Sequence, residues 1–114
     1  MSSARTDFNS ADPTMRPPKF QRRRVDMFLG IIELIEDQVR YAITTKDDAN
    51  HRVKANVKSS MGSVHDVEIW LEGEPNGPVS VHMTSAKKQG ALPDFGAAKR
   101  NIREFNRLLH HRQS

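Results

Sequence analysis

The residues that could carry chemistry are the five histidines, and their spacing argues against a metal or catalytic site. The chain has no cysteine, so a zinc ion would need histidine and carboxylate ligands alone. His110 and His111 are adjacent and diverge on a helix, while His51, His65 and His82 have no partner one helical turn away. The chain has neither a glycine-rich phosphate loop nor a nucleophile-elbow motif. The sequence therefore predicts a protein that is not an enzyme and has no cofactor.

Basic residues are the second chemical feature, and they concentrate towards the C-terminus. The segment 85–114 holds seven Lys or Arg against two acids, whereas the segment 25–84 holds five against ten. Such a basic segment favours an anionic partner, above all nucleic acid. The predicted phosphate-contacting residues are Lys87, Lys88, Lys99, Arg100 and Arg103. For the lysine pair, a solvated polar linker is the alternative interpretation.

Trp70 is the only tryptophan, and its place in an alternating run puts it on the outward face of a predicted strand. One interpretation is structural, with the ring covering Lys54 and its neighbours. The other is functional, with Trp70 acting as a stacking residue or as the docking point for a protein partner.

Two helical patterns would position these side chains. The first runs from Val25 to about Ile43, and the second begins near Leu92, with Pro93 and Asp94 suited to its first turn. Apolar residues at steps of three and four mark the first helix at Val25, Phe28, Ile32, Ile35, Val39 and Ile43. The second is marked by Phe95, Ala98, Ile102, Phe105 and Leu109.

Three alternating runs between the helices predict strands at about residues 51–59, 66–71 and 79–84. A register with Val57 opposite Val67, and Leu71 opposite Val79, places all the apolar residues of these runs on one face. The predicted fold class is α+β with α-β-β-β-α order. In it, a three-stranded antiparallel sheet carries both helices on one face.

The N-terminal segment 1–20 holds three prolines and little apolar periodicity, which predicts a disordered basic tail ahead of a single domain at residues 21–112. The basic run Gln21–Arg24 that follows is either a solvated lead-in to the helix or an arm for an acidic partner. The sequence shows no secretory signal and no apolar run long enough for a membrane span. An intracellular protein that does not bind membranes is therefore expected.

The order of these elements resembles a double-stranded RNA-binding domain over about residues 25–110. The motifs that carry the resemblance are Gly62-Ser63-Val64-His65, Gly73, Ser85, Lys87-Lys88, Ala97-Ala98 and Leu108-Leu109. The chain departs from that family because proline is missing from the Gly62–His65 loop, and because Gly90 and Pro93 separate the lysines from the last helix. The resemblance implies RNA contacts for His65, Lys87 and Lys88.

Two functions follow from these features. The first is a non-enzymatic module that binds structured or double-stranded RNA through the basic C-terminal helix and the lysine pair before it. The alternative is a protein-interaction or homodimerisation module that uses the exposed sheet face around Trp70.

Overall fold

The computed structural model describes residues 3–58, 62–89 and 96–113. Within them the chain forms one six-stranded antiparallel sheet and two α-helices. The strands are β1 (Ser3–Arg5), β2 (Lys19–Phe20), β3 (Tyr41–Asp47), β4 (Arg52–Lys58), β5 (Val64–Gly73) and β6 (Val79–Gln89). The helices are α1 (Arg24–Glu36) and α2 (Ala97–Gln113), and a short 3-10 helix spans Pro13–Met15. None of the described helices is long and apolar enough to cross a membrane.

The predicted α-β-β-β-α order and three-stranded sheet are wrong. The main path of the sheet runs β1-β6-β5-β4-β3, and β2 pairs with β6 beside β1. One error lies in the first helix, because α1 ends at Glu36, where the Asp37 N–H bonds to the Glu33 carbonyl. Val39 and Ile43 continue the helical spacing by coincidence, since Val39 is fully exposed and Ile43 belongs to β3.

The N-terminal segment 1–20, predicted to be a disordered tail, joins the sheet from Ser3 onwards. Ala4 of β1 pairs with Ser85, and Lys19 of β2 pairs with Ser80. Between the two strands, the Thr6 N–H bonds to the Met83 carbonyl at 2.9 Å. The prediction failed because such short strands show no periodicity. Their stability comes from the edge of β6 that they cover.

The three predicted strands exist, but their register differs by two positions from the prediction. Leu71 lies opposite Val81 and Val67 lies opposite Ala55. The β5–β6 turn is tighter than expected because Gly73, at φ +139, pairs with Val79. A Cβ at Gly73 would lie 2.3 Å from the Pro78 carbonyl oxygen, so glycine is required there. A shift of two positions keeps each side chain on its predicted face, because side chains alternate with a period of two.

Both helices contact the sheet, and the hydrophobic core forms around residues from both helices and the sheet. The predicted core residues Phe28, Ile32, Ile35, Ile69 and Ile102 are all buried, as expected. Met15, from the segment predicted to be disordered, joins the same cluster. The start of the second helix, predicted at Leu92-Pro93-Asp94 with Phe95 on its apolar face, lies outside the described residues.

Truncation of the α2 core residue Ile102 to alanine should lower the free energy of unfolding by about 2–5 kcal/mol, because it leaves a cavity in a small core. Leu29→Ala is the matched control, since Leu29 is 54% exposed on α1, and it should cost far less. Chemical denaturation of both variants measures the difference. Equal and small losses would contradict the packing of α2.

Deletion of the segment 1–20 should destabilise the protein, because it removes Met15 from the core and exposes the edge of β6. The loss should exceed about 2 kcal/mol, the lower bound for removing one large buried side chain. Urea denaturation of the full and shortened chains tests this. Unchanged stability would show that the segment contributes nothing to the folded state.

A candidate anion-binding groove

The exposed side of α2 carries a row of cations. Lys99, Arg100, Arg103 and Arg107 are all exposed and span two turns of the helix. Glu104 lies among them, but it accepts a hydrogen bond from Arg40 Nη2 at 2.8 Å. The charge of this acid is therefore offset by Arg40, which lies outside α2.

The N-terminal segment lies alongside α2, and the two border an open groove of about 660 Å³. We call this space the α2 groove. Its basic lining residues are Arg16, Arg100, Arg103, Arg107 and His110. Three prolines line the groove on the other side: the exposed Pro13 and the largely buried Pro17 and Pro18. The groove therefore combines an apolar wall with an excess of cations over the single acid Glu104.

Hydrogen bonds between the two walls build the groove in advance of any ligand. Asp12 caps the 3-10 helix by accepting from the Thr14 N–H at 2.9 Å, and it forms an ion pair with Arg103. Arg103 Nε donates to Thr14 Oγ1 at 3.1 Å, and Asn106 Nδ2 donates to the Thr14 carbonyl at 3.0 Å. These contacts fix the direction of the Arg103 guanidinium.

The same contacts lower the pKa of Asp12 to about 2 from its ordinary value of 3.8. The hydrogen bond from the Thr14 hydroxyl is the main cause, and the bond from Arg103 is the next. The Asp12 carboxylate therefore stays ionised at neutral pH, in an ion pair with Arg103.

His65, which the resemblance assigned to RNA contact, is 0% exposed. It lies on the helix-covered face of β5, where its Nδ1 is 3.4 Å from Ser85 Oγ, and Asn101 Nδ2 donates to that hydroxyl at 3.2 Å. RNA cannot reach His65 in this fold. The sequence alone could have indicated this burial. His65, Val67 and Ile69 occupy alternate positions of one strand, so their side chains lie on the same face of the sheet. Among the described residues, no three His, Asp or Glu side chains could hold a metal ion.

Lys87 and Lys88, predicted to precede the last helix in a linker, belong to β6. Lys87 lies opposite the buried His65, and Lys88 Nζ is 3.8 Å from Asp66 Oδ1. Neither lysine lines the α2 groove. The lysine pair is thus separate from Arg100 and Arg103, which both line the groove. Lys99 is on α2 next to Arg100 but is not one of the lining residues.

The sequence analysis missed the part that the N-terminal segment plays in the groove. Arg16 and the three prolines fall within the predicted tail, and Arg107 is not among the predicted phosphate-contacting residues. One local signal was available: Asp12 followed by Pro13 fits a helix N-cap and first position. That signal predicts a turn, but it does not predict contact with a helix at the other end of the chain.

Trp70 lies on the sheet face away from the helices, as predicted, and forms part of a row of rings and cations. The Arg52 guanidinium lies 5.0 Å from its ring centroid, and the His82 ring stacks on it at 5.4 Å. Phe8 meets His82 edge-on at 5.3 Å, and Lys19 Nζ lies 5.8 Å from the Phe8 ring. Arg52 and His82 therefore both hold the Trp70 ring in its position.

Comparison with known proteins places the chain in a family. Residues 1–109 match the model of a family described as a protein of unknown function (DUF1499), and the chain belongs to that family. The match includes the N-terminal segment and α2 as far as Leu109, so all the lining residues of the groove except His110 lie within the family's region. A search of curated protein sequences found no match.

Substitution of Asp12 by asparagine should reduce the acid sensitivity of the fold. The lowered pKa means that the Asp12 charge stabilises the native state above about pH 4, and this stabilisation is lost as the pH falls towards 2. Melting temperatures at pH 5 and pH 2.5 should differ less in Asp12→Asn than in the wild type. Asp48→Asn removes one charge from the β3–β4 turn and is the matched control. An identical acid response in wild type and Asp12→Asn would contradict the assigned role of Asp12.

Proposed function

We propose that the protein is a non-enzymatic binding module for structured RNA, and that the α2 groove and the cations beside it bind the phosphate backbone. The observation that carries this proposal is the convergence of Arg16, Arg100, Arg103 and Arg107 on one concave surface. Guanidinium groups match phosphate oxygens in geometry and charge, and they keep their charge at any physiological pH. The chain's net charge of +4 supports such a partner.

The position of α2 favours recognition of the backbone over reading of base sequence. One side of α2 packs on the core through Ile102, Phe105 and Leu109, and a second side contacts the N-terminal segment. Such a helix is not free on enough sides to enter a DNA major groove, where base edges are read. Its exposed cations span about 12 Å between Lys99 and Arg107, which suits contacts along a phosphate chain.

The resemblance to a double-stranded RNA-binding domain is kept as a hypothesis about the partner alone. A basic last helix and the lysine pair are present, but they belong to a different strand order. The argument for duplex RNA is that its recognition depends on shape and backbone contacts. The arginines along α2 and at the rim of the groove supply positive charge for such backbone contacts.

Titration of the protein with a blunt RNA duplex at two or more salt concentrations tests the proposal. If about five phosphates are neutralised, the log–log salt slope should be about −4 to −5. Arg100→Gln combined with Arg107→Gln should weaken binding and reduce the magnitude of the slope by about 2. The control is Lys46→Gln with Lys54→Gln, which removes the same charge from exposed residues of β3 and β4. Absence of binding at low salt would refute the proposal.

A second candidate function is the docking of a protein partner on the row of rings around Trp70. Phe8, at the end of that row, is 49% exposed, which favours this alternative. Trp70→Ala should abolish a protein interaction at this surface and leave RNA affinity unchanged. The comparison of this variant with the Arg100 and Arg107 variant separates the two functions.

A further inference from the structure

We infer that the α2 groove binds an unpaired nucleotide of the RNA, with a phosphate on its arginines and the base against its proline wall. This inference rests on the proposed function and narrows the ligand from a duplex to a duplex with a single-stranded extension. It follows from the groove's concave shape, its mixed lining and the hydrogen bonds that hold it open.

The shape of the groove selects against a duplex as its occupant. A volume of about 660 Å³ lies in the range of sites for small ligands. A double helix is a convex body much wider than such a site, so its backbone can lie on the rim but cannot enter. A nucleotide at a strand end or in a loop is free of its neighbours and can enter.

The lining matches both parts of a nucleotide. Pro13 offers an exposed, rigid apolar ring, while Pro17 and Pro18 also line the groove but are largely buried. Unstacked bases are bound by apolar side chains and by the planes of arginine side chains. Arg107 and His110 lie one turn apart on α2 and both line the groove, which suits a phosphate between them. Phosphate alone would not need the proline wall, and an apolar ligand would not need the cations.

The α2 wall of the groove also contains a side-chain hydrogen-bond acceptor that no described residue satisfies. Asn106 lines the groove and is 6% exposed, and its amide nitrogen is committed to the Thr14 carbonyl. Its Oδ1 is buried and accepts no hydrogen bond from the residues that the structure describes. A donor on the ligand, such as an exocyclic amino group or a ribose hydroxyl, would reach this acceptor only if the Asn106 side chain turned towards the groove.

Arg103 is already paired with an acid, so a phosphate in the groove would bind to other arginines of the lining. Asp12 already neutralises Arg103 and orients it. Arg16 Nε donates to the Ser10 carbonyl at 2.8 Å, which fixes its position without neutralising it. Arg16 on one wall and Arg107 on the other therefore supply positive charge that a phosphate in the groove would meet.

The test compares two RNAs with the full chain at low salt. One is a blunt duplex of about 16 base pairs, and the other is the same duplex with a single-stranded extension of about four nucleotides. The extended RNA should bind at least about tenfold more tightly, because its unpaired nucleotide adds base and phosphate contacts in the groove that the blunt duplex cannot make. Equal affinity of the two RNAs would overturn the inference and leave the proposed function standing. Failure of both RNAs to bind would refute both.

A matched pair of variants locates the effect in the groove. Pro13→Glu places a carboxylate on an exposed position of the groove wall. Ala11→Glu adds the same charge to an exposed position of the same segment that does not line the groove. The gain from the single-stranded extension, measured against the blunt duplex for each variant, should disappear in Pro13→Glu and persist in Ala11→Glu. Persistence of the full gain in Pro13→Glu would overturn the inference.

Discussion

The hydrogen bonds between the N-terminal segment and the outer edge of β6 are the constraint on which the rest of this structure depends. β6 is the longest of the described strands, and β5 covers only one of its edges. An open edge of this length would be a template for pairing with other chains. β1 and β2 cover it in two short stretches, and the Val81 N–H bonds to the Pro18 carbonyl at 2.9 Å. The residues between β1 and β2 are thereby held against α2, and the groove results.

Ion pairs between distant elements then decide how charge is distributed around α2. Asp12 pairs with Arg103, Glu104 with Arg40, and Asp37 with Arg112. Pairs as exposed as these contribute about 0–1 kcal/mol each, so their effect lies more in orientation than in stability. They join α2 to the N-terminal segment, to the start of β3 and to the end of α1. Each of these acids is paired with an arginine, and basic residues outnumber the single acid in the lining of the groove.

The two faces of the sheet have different surroundings. One face is covered by the helices and holds the apolar residues together with His65. The other is polar, as is usual for an antiparallel sheet with one solvated side. Its row of rings around Trp70 is held by cations at both ends, Arg52 and Lys19. The alternation of side chains along β5 is enough to put Trp70 and His65 on opposite faces of the sheet. The sequence alone could therefore predict that His65 is buried and Trp70 is not.

The sequence by itself determined the elements whose pattern is long enough to repeat. These are the first three turns of α1, the strands β4 to β6 with their buried face, and the apolar side of α2. It did not determine where α1 ends, because Val39 and Ile43 keep the helical spacing after the helix has stopped. Local periodicity cannot distinguish a helix from a loop and strand that share its spacing by chance.

Only the tertiary structure decided the role of the N-terminal segment and the existence of the groove. The short strands β1 and β2 have no periodicity of their own, and they form because β6 supplies their hydrogen-bond partners. The groove depends on contacts such as that between Thr14 and Asn106, which are 92 residues apart in the chain. The amino-acid composition shows an excess of basic residues. That several of them line one groove together with three prolines follows from the chain topology. Local sequence patterns carry no record of such long-range contacts.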